Sequence, residues 1–142
     1  MTRYPDWPAR LERFLHEHDD RPFRYGTWDC GLFVAGAIRA MTGTDPAAGV
    51  RGLYASRTEV MDLIRSHTGA ARLSAMVERI ATRMGMPEIP VSSACRGDVL
   101  LLRRSRGNSL ALMALDGHSA LVLGWKGIRK IAEPAIARAW RV

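Results

Sequence analysis

The sequence holds only two cysteines in 142 residues, Cys30 and Cys95, and they stand far apart. Thiols this sparse argue against a disulfide-stapled secreted domain and fit a reducing compartment. The four histidines and two cysteines form no CxxC or HxxxH pattern. The usual zinc spacings are therefore excluded, and no metal and no cofactor is predicted. No apolar run reaches the length of a membrane-spanning helix, so no membrane span is expected. The opening residues, Met1-Thr-Arg-Tyr-Pro-Asp-Trp-Pro8, lack the apolar centre of a signal peptide, which predicts synthesis in the cytoplasm. Lysine is nearly absent: apart from Lys126 and Lys130, every basic residue is arginine, and the net charge is +7. The arginines are dispersed, with only short groups such as Arg103-Arg104-Ser-Arg106. No helix-turn-helix, zinc-finger or RNA-binding signature accompanies them, so they read as a solvated basic surface rather than a nucleic-acid interface. Nucleic-acid binding stays as a minor alternative, which predicts steep loss of affinity with salt.

What is present fits one domain, residues 1–142, with enough chain for a real core. Its centre is Phe23-Arg-Tyr-Gly-Thr-Trp-Asp-Cys-Gly-Leu-Phe33. Gly26 permits a tight turn, Asp29 can cap a helix, and Cys30 opens that helix. A thiol at a helix N-terminus meets unpaired N–H groups and the positive end of the helix dipole, which favour the thiolate. Cys30 is thus a candidate nucleophile, with a small buried core residue as the alternative. From Cys30 the helix carries Leu32, Phe33, Ala37, Ile38 and Met41 interleaved with small residues, and Gly43 stops it. A helix so apolar and small must be central.

Around it, Asp6 is expected to cap a first helix with Pro8 in its first turn. Trp7, Leu11, Phe14 and Leu15 form its apolar face, and His16 and His18 form its wet end. Ser56 and Glu59 make a capping box for a helix from Arg57 to about Ser66. Another helix runs from about Leu73 to Arg83. Strands are predicted over Val99–Leu102, Leu110–Leu115, Ser119–Leu123 and Ile128–Ile131. Arg103 to Asn108 reads as a basic loop, and Asp116-Gly117 as a hairpin turn. Pro134 is expected to start a last helical turn. Helices first and an antiparallel sheet second make an α+β fold.

A Gly-x-x-Asp-Cys turn entering a helix, followed by Arg96-Gly-Asp98 and an apolar strand, resembles the NlpC-like branch of the papain-like cysteine peptidases. The pattern is most similar to a group of phage and prophage tail-module proteins. The shared features are Trp7, Arg21-Pro-Phe23, Gly26, Asp29-Cys30, Thr42-Gly-Thr-Asp-Pro-Ala47, Arg96-Gly-Asp98 and Ala139-Trp-Arg-Val142. The resemblance spans nearly the whole chain. It implies a papain/NlpC-like domain in which the Cys-headed helix packs on a small C-terminal antiparallel sheet. It implies other tail proteins as partners, and a location in the host cytoplasm during assembly and then in the virion tail. It also offers two activities: a structural or degenerate tail protein, or a peptidase that cuts cell-wall peptides through Cys30. In the first case the basic surface and exposed tryptophans would dock onto other tail subunits.

Hydrolysis requires a base beside the thiol and usually a third group to orient it. In the NlpC-like pattern the histidine opens the strand after the Gly-Asp strand. The matching place is near Asn108-Ser109, and no histidine stands there. His118 is the nearest candidate in sequence, but it falls at the opposite end of the hairpin. About six residues at roughly 3.3 Å each put it on the order of 20 Å away. Asp29 could orient a base or simply cap its helix. The Cys30–Gly31 backbone N–H groups could stabilise an oxyanion. Asp98 could be a site carboxylate or fix the turn before its strand, and Asn108 could bond to substrate or serve as a turn residue.

Overall fold

The computed structural model describes residues 1–142. Four helices precede a six-stranded antiparallel sheet, a mixed α+β architecture. The helices are α1 (Trp7–Glu17), α2 (Cys30–Thr42), α3 (Arg57–Thr68) and α4 (Leu73–Met84). The strands are β1 (Glu88–Ile89), β2 (Val99–Arg104), β3 (Gly107–Met113), β4 (Ala120–Gly124), β5 (Gly127–Ile131) and β6 (Ile136–Trp140). Their order in the sheet is β1-β6-β2-β3-β4-β5. No helix is long and apolar enough to cross a membrane.

Helix α2 is central for the reason its composition suggests. Phe33, Val34, Ala37, Ile38 and Met41 are buried in the main core with Val99, Leu101, Leu110 and Leu112 of the sheet. Its small residues let a neighbour approach: a Cβ at Gly36 would come within 2.9 Å of the Phe14 ring of α1. Gly43 ends α2 in the left-handed conformation. The Ser56 hydroxyl accepts the Glu59 N–H at the start of α3, and the Glu59 carboxylate accepts the Ala55 N–H. The two-way exchange is that of a capping box, with the return bond one residue earlier.

The second face of the sheet buries Leu100, Leu102, Ala111, Met113, Ala120, Val122 and Ala139. Everything packed around these residues comes from the strands themselves or from Ala94. No helix contributes to that cluster, whose side chains pack against one another and against Ile89, Ile131 and Ile136 of β1, β5 and β6.

Three expectations are corrected. Asp6 makes no capping bond; its carboxylate instead pairs with Arg10 one turn on. Arg103–Asn108 is not a loop: β2 runs to Arg104 and β3 begins at Gly107, leaving a two-residue turn. Its charged side chains point to water while the backbone ladder continues, so polarity there reflects exposure and not loop structure. The segment after Pro134 is a strand, β6, which pairs with both β2 and β1. The proline sits just before the strand, where its missing N–H costs no ladder bond.

Gly26 holds a positive φ of 78°, and a Cβ there would lie 1.7 Å from the Tyr54 carbonyl oxygen. Gly26→Ala is therefore expected to destabilise the fold by about 2–3 kcal/mol or more, combining overpacking with left-handed strain. A urea unfolding midpoint unchanged from wild type would contradict this.

Candidate functional site

The turn before α2 is built around one carboxylate. Asp29 is 5% exposed. Its Oδ1 accepts the Leu32 N–H at 3.0 Å, which caps α2. Its Oδ2 accepts the Gly26 N–H at 3.0 Å and the Tyr54 hydroxyl at 2.6 Å. Burial and that bond to Asp29 push the Tyr54 hydroxyl far up, so it remains a protonated donor. With these donors in place Asp29 fastens the loop to the helix. It makes no hydrogen bond to a histidine.

Cys30 follows on the first turn of α2 and is half-buried. Burial pushes its thiol up from the ordinary range. The N–H of Leu110 on β3 opposes that shift, the Asp29 charge adds to it, and the N–H groups of Gly31 and Cys30 oppose it. The N–H groups of the helix start act in the direction the sequence predicts, but desolvation outweighs them. Gly31 follows on the first turn of α2 and lines the same cavity as Cys30.

The thiol faces a cavity of about 630 Å³ between α2, the α3–α4 pair and the β3–β4 region. Apolar side chains dominate its wall, including Val34, Ile38, Val60, Met76 and Ile80. The cavity opens to solvent, so it is a place for water or a ligand and not an enclosed packing defect. Its mouth carries an aromatic group: Phe23 contacts Tyr25 and Trp125 with ring centroids 4.8 and 4.9 Å apart. Trp125 is the exposed tryptophan, at 75%. The expectation of several exposed tryptophans fails, since Trp28 and Trp140 are buried and Trp7 is packed against the core.

No histidine lines this cavity, and no imidazole bonds to the Cys30 sulfur. His118 lies at the exposed turn between β3 and β4, bonded to Asp116 through its N–H and ring. His16 is exposed, and His67 bonds to Leu63 and Ser66 on α3. His18 is not a wholly wet end: its ring stacks on Trp28 at 4.8 Å and bonds to the Phe14 carbonyl. It does not reach the cavity wall. Asp98 also lies elsewhere, bonded to Arg3, Arg141 and the Cys95 N–H. No cluster of three potential metal ligands is present.

Cys30, Gly31, Asn108 and Ser109 all line this cavity. Asn108 has the parity of Leu110 and Leu112, whose side chains enter the core beneath α2. Ser109 has the parity of Ala111 and Met113, which enter the opposite core. Asn108, not Ser109, is therefore the β3 residue presented to the Cys30 side. Sequence reasoning missed the cavity and its arginines, Arg57, Arg72 and Arg106. Only the three-dimensional spacing of α3 and α4 from α2 reveals them.

The family described as a domain of unknown function, DUF6950, matches residues 2–142. The chain belongs to that family. No curated protein matches it. DUF6950 thus spans the whole of the fold described, from α1 through β6. The match carries no reaction or partner with it.

Proposed function

We propose that the chain is a catalytically silent relative of the papain/NlpC-like cysteine peptidases that serves as a component of a phage or prophage tail, at the tip or in its assembly. The Cys-headed α2 resting on an antiparallel sheet accords with that architecture. The tail assignment rests on the motifs from Trp7 to Ala139-Trp-Arg-Val142. One observation carries the non-hydrolytic reading: no histidine lines the cavity that Cys30 faces, and no imidazole bonds to its sulfur. A thiol pushed up by burial, with no base to take its proton, is a poor nucleophile at neutral pH.

The test compares two thiols in one chain. Iodoacetamide at neutral pH should alkylate exposed Cys95 well before Cys30, followed in the Cys30→Ser and Cys95→Ser variants. Because burial raises the Cys30 pKa, its rate should climb only as pH passes above the ordinary thiol range. Cell-wall peptides incubated with the protein should stay intact. Faster labelling of Cys30 than Cys95, or cleavage lost in Cys30→Ser, would restore the peptidase reading.

A further inference from the structure

The sheet is split beside Cys30. Strands β3 and β4 pair only at Leu112–Leu121 and Met113–Ala120. Continued pairing would set Leu110 opposite Leu123, and those residues are not partners. Both line the cavity instead. The direction of the β3 peptide groups follows from its bonds. The Met113 N–H donates to the Asp98 carbonyl, and the Met113 carbonyl accepts the Gly97 N–H. Odd-numbered residues of β3 therefore turn their peptide groups to β2, and Asn108, Leu110 and Leu112 turn theirs away from it.

Leu112 is paired with β4, whereas Leu110, which lines the cavity with Cys30, has no partner on β4. The Asn108 N–H and C=O have no backbone partner on that side. An open strand edge thus borders the apolar cavity, a combination sheet-forming proteins normally avoid or cover. Arg57, Arg72 and Arg106 also line the cavity, and none of them forms an ion pair. Asp29, on the same wall, is already bound by three donors.

We infer that this split is a strand-addition site, taking an extended segment of another protein that carries apolar and acidic residues at every second position, on the one face it turns to the cavity. The segment's backbone pairs with the free peptide groups at Asn108. Its apolar side chains enter the cavity, and its carboxylates meet the three unpaired arginines. Strand addition draws affinity from main-chain bonds and specificity from pockets for alternate side chains, and both are present here. An acyl chain would fill the apolar space but leave the edge peptide groups without partners. This inference rests on the non-hydrolytic reading above and gives that reading a partner.

The test begins with selection of random linear peptides on the full chain, followed by fluorescence anisotropy of synthetic winners. Winners should carry apolar residues and aspartate or glutamate at every second position, with the intervening positions free to vary. Asn108→Pro removes an edge N–H without touching the bonds to β2, and should weaken binding about tenfold or more. Should that variant not fold, the peptide carries the same test on wild type. N-methylation of alternate amides in one register should abolish binding, and in the other should leave it intact. Binding indifferent to both changes overturns the inference. So does the absence of any winner, and so does saturable uptake of cis-parinaric acid with no peptide selected, which would point to a lipid. Cleavage of a bound peptide would instead overturn the non-hydrolytic reading. Intact peptides that fail to bind would overturn the strand-addition site alone.

Discussion

Asp98→Ala is expected to lower the stability of the fold by about 2–3 kcal/mol, the loss of a buried carboxylate's charge-assisted bonds to partly exposed arginines and a backbone N–H. Asp98 is 0% exposed. Its Oδ1 accepts from Arg3 at 2.8 Å, and its Oδ2 accepts from Arg141 at 3.0 Å and the Cys95 N–H at 2.8 Å. Arg3 goes on to the carbonyls of Arg96 and Val142. One carboxylate therefore joins the first residues, the turn before β2 and the last residues. Alanine would leave the Cys95 N–H unsatisfied and Arg3 half-buried without its counter-charge. The measurement is the urea midpoint with its slope unchanged, since the loss should be stability and not compactness. Arg138→Ala is the contrast. Its bonds to Glu78 and Glu88 lie at the surface, where exposed pairs contribute about 0–1 kcal/mol. A loss at Asp98 no larger than at Arg138 would remove the latch from the account.

That latch shows where sequence reading reaches and where it stops. The Arg96-Gly-Asp98 turn is legible because a short polar side chain before an apolar strand is a local signal. Its arginine partners are not, because Arg3 and Arg141 reach Asp98 from the two ends of the chain. The same division holds elsewhere. The cap at Asp29, the capping box at Ser56 and the stop at Gly43 are local and legible. β6 is not, because its pairing with β2 is decided more than thirty residues away. For Cys30, the helix-start N–H groups could be read from the sequence, whereas the burial that outweighs them could not. Position along a helix is local information. Desolvation is set by every element that packs around a group.

Asn108→His is expected to raise the alkylation rate of Cys30 at neutral pH about tenfold or more. The side-chain parity of β3 puts residue 108 on the Cys30 side of the sheet, one alternation from Leu110, and both residues line the cavity with Cys30. An imidazolium within a few ångströms of a thiol lowers its pKa by roughly 1–3 units, which multiplies the thiolate fraction correspondingly. Cys95, exposed and distant in sequence, serves as the internal standard. Ser109→His should leave the Cys30 rate unchanged, because that side chain has the parity of the opposite core. Equal rates in both variants and in wild type would show that residue 108 does not face the thiol. Peptide hydrolysis is not expected to follow from Asn108→His alone. The new imidazole would lack an orienting carboxylate, since Asp29 is committed to Gly26, Leu32 and Tyr54. Accelerated labelling without hydrolysis would therefore separate a missing base from a missing triad.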